Sequence, residues 1–130
     1  MVNQSHIIRY NDLADKLKYH PIDSWIIRKG WQWFPHQLQI FEVLDKHNSV
    51  LLEAPTGAGK TLASLLPSLL SLSDNKDQTY LHTLYISPLK ALTNDIYKNV
   101  SNIIQELDLP ITIEARTGDT PTKVKSRQKR

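Results

Sequence analysis

The sequence predicts an α/β fold built on a parallel sheet, and three observations lead there. An apolar run, Val50-Leu51-Leu52, feeds directly into the glycine-bearing turn Ala54-Pro55-Thr56-Gly57-Ala58-Gly59-Lys60-Thr61, which opens an apolar helix. Strand-like and helix-like segments then alternate down the chain. The connections between the strand-like segments are long enough to carry a helix, which requires parallel pairing and right-handed crossovers. Three strands are visible, over 49–53, 81–87 and 111–115, preceded by a short helical segment within residues 1–30.

Each element has a local reason. Residues 11–18 read as a short helix, with Leu13 and Leu17 four apart. Pro21 then breaks the chain. Asp23 is placed to cap a second short helix through Trp25, Ile26 and Ile27, and Gly30 to end it. Pro35 suits the first turn of a helix over 35–46, with Leu38, Ile40, Phe41 and Leu44 as its apolar face. His47-Asn48 reads as a turn into the first strand. Residues 60–72 form a leucine-rich helix that Pro67 is expected to kink or shift, and 73–79 a polar loop. After the second strand, 88–107 reads as a long amphipathic helix with Leu92, Ile96, Val100, Ile103 and Ile104 on one side. The third strand leads to a turn at Thr117-Gly118-Asp119. Thr120 is placed to cap a final helix over 121–130.

The turn at 54–61 has a direct physical cause. Gly57 and Gly59 let the backbone curl until consecutive N–H groups converge, and the helix beginning near Lys60 adds its positive end. Lys60 supplies an ammonium for the β- and γ-phosphates of a nucleotide, and the Thr61 hydroxyl a ligand for Mg²⁺. The general pattern is G-x-x-x-x-G-K-[ST]; Ala54 takes its first glycine position. Pro55, Thr56, Gly57, Ala58 and Gly59, with Lys60 and Thr61, are the candidate ATP- and Mg²⁺-binding residues.

Composition narrows the class. The 130 residues contain no cysteine, which excludes a disulfide framework and a thiolate metal site. The five histidines follow no metal-ligand spacing. No apolar signal core or membrane-length stretch is present, so a soluble, cytoplasmic protein is expected. The net charge of +3 comes from one place: Lys123, Lys125, Arg127, Lys129 and Arg130 all fall in the last eight residues. Without them, eleven basic residues face thirteen acidic ones. That run is either a solvated helix face or a phosphate-facing surface.

An NTPase also needs an acid at the end of another strand to complete the magnesium shell and activate water. No paired Asp-Glu follows a strand here; Glu114 lies within the third strand and Asp119 in a turn. With its last helix polar and no strand after it, the chain reads as an incomplete domain. The 130 residues are expected to bind nucleotide weakly and not to turn it over.

Four segments together resemble the first motor domain of superfamily 2 DEAD/DEXH-box helicases. Residues 54–61 have the alanine-first form of the phosphate loop found there. Ser87-Pro88-Leu89-Lys90-Ala91-Leu92 and Arg116-Thr117-Gly118-Asp119-Thr120-Pro121 resemble two turns that touch a nucleic-acid backbone, and Phe34-Pro35-His36-Gln37 resembles the adenine-reading glutamine motif. The pair of backbone turns is similar to the large-helicase-related (Lhr) group. Gly30-Trp31 ahead of Phe34 and Gln37 points to the bacterial ligase-associated DEXH-box helicases. The likeness covers residues 22–130.

The resemblance implies a partial RecA-like domain over 31–130, cut before the DEXH motif, in an ATP-driven helicase or translocase. It implies adenine reading by Gln37, whose amide both donates and accepts, and backbone contact by Ser87, Pro88, Lys90, Arg116, Thr117 and Gly118. Trp31, Trp33 and Phe34 either stack on the base or pack against the helix over 35–46. The expected partner is nucleic acid, DNA ahead of RNA, and DNA-repair proteins follow from the resemblance. Two other classes stay open: a small P-loop kinase, against which stands the lack of arginine between residues 62 and 115, and a nonenzymatic nucleic-acid-binding module.

Overall fold

The computed structural model describes residues 15–74 and 79–128. The chain divides into two compact units, Met1–His82 and Thr83–Arg130.

In the first unit, α1 (Pro21–Arg28), α2 (Pro35–Lys46) and α3 (Lys60–Asp74) enclose a core of Ile22, Trp25, Ile26, Ile40, Phe41, Ala63, Leu66, Leu69 and Leu70. Residues 15–17 are helical, and the rest of the helix expected over 11–18 lies outside the described residues. The helical stretch ending at residue 17 is separated from α1 by residues 18–20, and Pro21 begins α1, where its missing N–H costs nothing. The cap is His20, not Asp23: His20 Nδ1 accepts from the Ile22 N–H at 3.2 Å. Asp23 instead receives the Trp33 indole N–H at 2.7 Å, fixing the chain leading to α2. Gly30 ends α1 as expected. Its φ is +72°, its N–H reaches the Ile27 carbonyl and the Trp31 N–H reaches that of Ile26, the bond pair of a Schellman motif.

α2 begins and ends where its sequence predicts, and of its expected apolar face Ile40 and Phe41 are buried and Leu44 half-buried. Gln37 is buried and Leu38 exposed. α3 runs unbroken through Pro67, which is buried on its core face, and reaches Asp74. The segment before residue 30 is tied to the end of α3: His20 Nε2 meets Ser73 Oγ at 3.0 Å, and Lys16 pairs with Asp74.

In the second unit, α4 (Lys90–Glu106) buries Ile96, Val100, Ile103 and Ile104, one face at helical spacing, while Leu92 is exposed. α5 (Thr122–Arg127) buries no residue.

The expected parallel sheet is absent: there is no strand among the described residues. A strand exists only where another lies about 4.8 Å away and exchanges backbone hydrogen bonds with it. No such bonds join 49–53, 81–87 and 111–115. Several of their apolar side chains are open to solvent, with Leu51 86%, Leu84 71% and Ile86 81% exposed, while Leu52, Ile111 and Ile113 are half-buried. Along 111–117 exposure still alternates residue by residue, the period of extended chain. The sequence's strand signal therefore survives as local pattern without a ladder.

Candidate functional site

The phosphate loop lies in the first unit, between the exposed run at 50–53 and the start of α3. Gly57 (φ +82°) and Gly59 (φ +68°) are both left-handed, the conformation that curls the chain. Between them, the Ala58 N–H closes a turn on the Pro55 carbonyl at 3.2 Å. The Gly59 carbonyl accepts the first bond of α3, from the Ala63 N–H, so the Lys60 amide sits among the free donors of a helix N-terminus. The exposed Lys60 ammonium bends back across its own loop, donating to the carbonyl of Ala54 and, at 3.3 Å, to that of Pro55. A phosphate would compete with two neutral carbonyls for that ammonium, and charge-assisted bonds are the stronger ones. Thr61, next along, is half-buried, and Thr56 is exposed in the turn.

The first turn of α2 braces this loop. Gln37 uses both ends of its amide: Oε1 accepts from the Phe34 N–H at 2.8 Å, and Nε2 donates to the Gly59 carbonyl at 3.2 Å. His36 Nε2 lies 2.7 Å from the Ala58 carbonyl oxygen, and its ring stacks on Phe34 with centroids 5.5 Å apart. Two of the aromatic residues ahead of α2 contact α1 rather than α2. Trp31 packs edge-on against Trp25 at 5.6 Å and Trp33 is held by Asp23, whereas Phe34 stands 45% exposed beside the loop.

The second unit holds an open cleft of about 450 Å³, lined among others by Ser87, Thr93, Arg116, Thr117, Gly118 and Lys125. It brings together residues from the segments 87–92 and 116–121, which are far apart in sequence. Ser87 does not cap the following helix; α4 starts at Lys90 with Leu89 as its cap, and the buried Ser87 Oγ has no hydrogen-bond partner. Pro88 is exposed just ahead of that cap. Thr120 likewise does not cap α5. Its hydroxyl accepts from the Thr117 N–H at 2.9 Å and tightens the Thr117–Thr120 turn, whose backbone bond is 3.2 Å. Lys125 donates to the Gly118 carbonyl at 3.0 Å. Lys90 pairs with Asp119 at the surface, so its charge is partly answered within the chain.

Of the residues singled out from sequence, Gln37 and 54–61 meet in one place, and Ser87 and Arg116 to Gly118 in another. Lys90 does not line the cleft. His36 and Lys125 are additions. His36 stood beside Gln37 in the sequence motif, but nothing in spacing indicated that it would reach Ala58. Lys125 belonged to a basic run without a marked member. No described helix is long and apolar enough to cross a membrane.

A family model described as DEAD/DEAH box helicase matches residues 34–130. The ATP-dependent helicase Lhr-Core protein 2 of Thermococcus barophilus is 33% identical over 91% of this chain and 15% of its own length. The ATP-dependent helicase Lhr-Core of Sulfolobus acidocaldarius is 37% identical over 82% of this chain and 13% of its own. The Lhr helicase/uracil glycosylase of Escherichia coli is 32% identical over 80% of this chain and 8% of its own. The chain thus spans a small part of the length of the curated relatives it matches. No solved structure matches it.

Proposed function

Since this chain belongs to the DEAD/DEAH box helicase family, we propose that it is the ATP-binding portion of an ATP-dependent nucleic-acid helicase or translocase of the large-helicase-related type. The observation that carries this reading is the phosphate loop itself: two left-handed glycines, a helix N-terminus and an exposed Lys60 within one short segment. Those residues fit a magnesium nucleotide. Lys60 and the amides of Gly57, Gly59 and Lys60 would hold the phosphates, and Thr61 would offer its hydroxyl to Mg²⁺. The chemistry such an ion would supply when bound is neutralisation of phosphate oxygens.

Gln37 is the residue for adenine, and its present bonds set a condition. Its amide nitrogen is committed to Gly59 and its oxygen to Phe34, so reading the base requires the amide to share or exchange those partners. Ser87, Pro88, Arg116, Thr117 and Gly118 take the strand's phosphates, with Lys90 adding charge at the surface. Such contacts give affinity without sequence preference. The preference for DNA, and a role in DNA repair, rest on the resemblance to ligase-associated helicases. In the whole protein, ATP favours one arrangement of the motor over another by binding it more tightly, which is how hydrolysis drives movement.

Fluorescent ATP and a fluorescent single strand test this reading on the 130-residue chain. Lys60→Ala is expected to abolish nucleotide binding and spare the strand. Arg116→Ala is expected to weaken the strand and flatten its salt dependence, sparing nucleotide. Nucleotide binding unchanged in Lys60→Ala would defeat the reading.

A further inference from the structure

We propose that His36 is a positioning residue for the phosphate loop, holding one peptide plane so that its amide faces an incoming phosphate. The proposal deepens the reading of 54–61 as a nucleotide site and rests on it.

A carbonyl oxygen only accepts, so His36 Nε2, 2.7 Å from the Ala58 oxygen, carries the hydrogen. The ring cannot swing freely, because it stacks on Phe34 with planes 18° apart. One residue on, Gln37 Nε2 donates to the Gly59 carbonyl. Two successive carbonyls of the loop are therefore drawn to the first turn of α2. In a trans peptide the C=O and the following N–H point in opposite directions. Drawing the Ala58 carbonyl to His36 turns the Gly59 N–H away from α2. Drawing the Gly59 carbonyl to Gln37 and Ala63 does the same for the Lys60 N–H.

The Ala58–Gly59 plane needs such a hold. Ala58 stands between two left-handed glycines, and a glycine turns through many backbone angles at little steric cost. The second plane has two bonds on its carbonyl, one of them the first rung of α3. For the first plane, the bond that fixes its direction is the one from His36.

Two variants separate donor from ring. His36→Phe keeps an aromatic ring against Phe34 and removes the donor. His36→Gln places an amide N–H near the former Nε2. Each is titrated with magnesium tripolyphosphate, which has no base, and with magnesium ATP, alongside Lys60→Ala and melting curves. His36→Phe is expected to weaken both ligands by the same factor, about tenfold for one lost hydrogen bond. His36→Gln should recover most of it. Unchanged tripolyphosphate binding in His36→Phe, or a loss confined to ATP, overturns the proposal while leaving the nucleotide site intact. Equal tripolyphosphate binding by wild type and Lys60→Ala instead removes the nucleotide site, and the proposal with it. Ring-nitrogen NMR of the wild-type chain supplies a check that no variant can spoil: an Nδ1–H tautomer at His36 overturns the proposal.

Discussion

Gly57 and Gly59 have the same left-handed backbone, yet a methyl group would meet different surroundings at each. At Gly57 nothing lies within 4 Å, so alanine there pays only for its backbone, about 1–2 kcal/mol. At Gly59 the added carbon would come 2.4 Å from Gln37 Nε2, inside any permitted contact. Gln37 is buried, with both ends of its amide bonded, so moving it also disturbs two hydrogen bonds worth about 1 kcal/mol each. Chemical denaturation should therefore show Gly59→Ala losing about 3 kcal/mol and Gly57→Ala about half of that; equal losses would mean that Gln37 does not rest on the loop. At this scale the sequence was legible where a residue type has one use. Two glycines followed by Lys60-Thr61 announce a phosphate loop because few other backbones need them. Gln37 announced only an amide. That it would be buried and spent on Phe34 and Gly59 depends on where α2 lies against α3, which no local pattern encodes.

Among the elements, helix ends were harder to read than helix bodies, because caps trade partners. α1 starts on His20, whose Nδ1 accepts the Ile22 N–H and whose Nε2 faces Ser73 Oγ, itself donating to the Leu69 carbonyl at 2.6 Å. Burial lowers the His20 pKa below its ordinary 6.5, and Asp74 only partly offsets this. The folded chain thus binds fewer protons at this site than the unfolded one. The sign follows: stability from His20 is full above pH 6.5 and is lost as pH falls from there through the depressed folded value. His20→Asn keeps a capping oxygen for Ile22 and removes the titration. Its melting temperature should fall less than that of wild type between pH 7.5 and 5; parallel pH profiles would exclude His20 as the source. At the far end of α4, Asp108 occupies a left-handed position at φ +49°, and Leu109 closes the Schellman bond to Ile104 at 2.9 Å. Asp108→Ala should melt below Asp108→Gly, the pair differing by about 1 kcal/mol, which circular-dichroism melts can resolve. The helices expected over 35–46 and 60–72 were legible because their hydrogen bonds close within the segment, although the second runs on to Asp74. The strands at 49–53, 81–87 and 111–115 were not. Pattern predicts an extended conformation, but only a neighbouring chain makes a strand.

At the level of the whole molecule, the two units differ in what holds them together. The first buries Phe41, Ile22, Leu66 and Leu70 almost completely, and three helices contribute. The second buries four described side chains, all on α4 and each 6–9% exposed, while Leu84, Ile86 and Leu89 stand open. Burying an aliphatic side chain is worth about 1.5–3 kcal/mol, against an ordering cost of about 1–2 kcal/mol per residue for the backbone alone. A unit of that size with one contributing helix is the one that opens first. Its surface ion pairs, Lys90 with Asp119 and Arg127 with Glu114, add little, since exposed pairs contribute about 0–1 kcal/mol. Native-state hydrogen exchange should show α4 amides opening at a lower free energy than those of α2 and α3, and with a weaker dependence on denaturant. A ligand held by Ser87, Arg116 and Thr117 binds the closed form of this second unit, so a single-stranded oligonucleotide should slow exchange in α4 and leave α2 and α3 unchanged. Nucleotide should do the reverse through Lys60. Equal protection of all three helices, or a strand that slows α2 and α3 instead, would contradict the division of labour between the loop and the cleft.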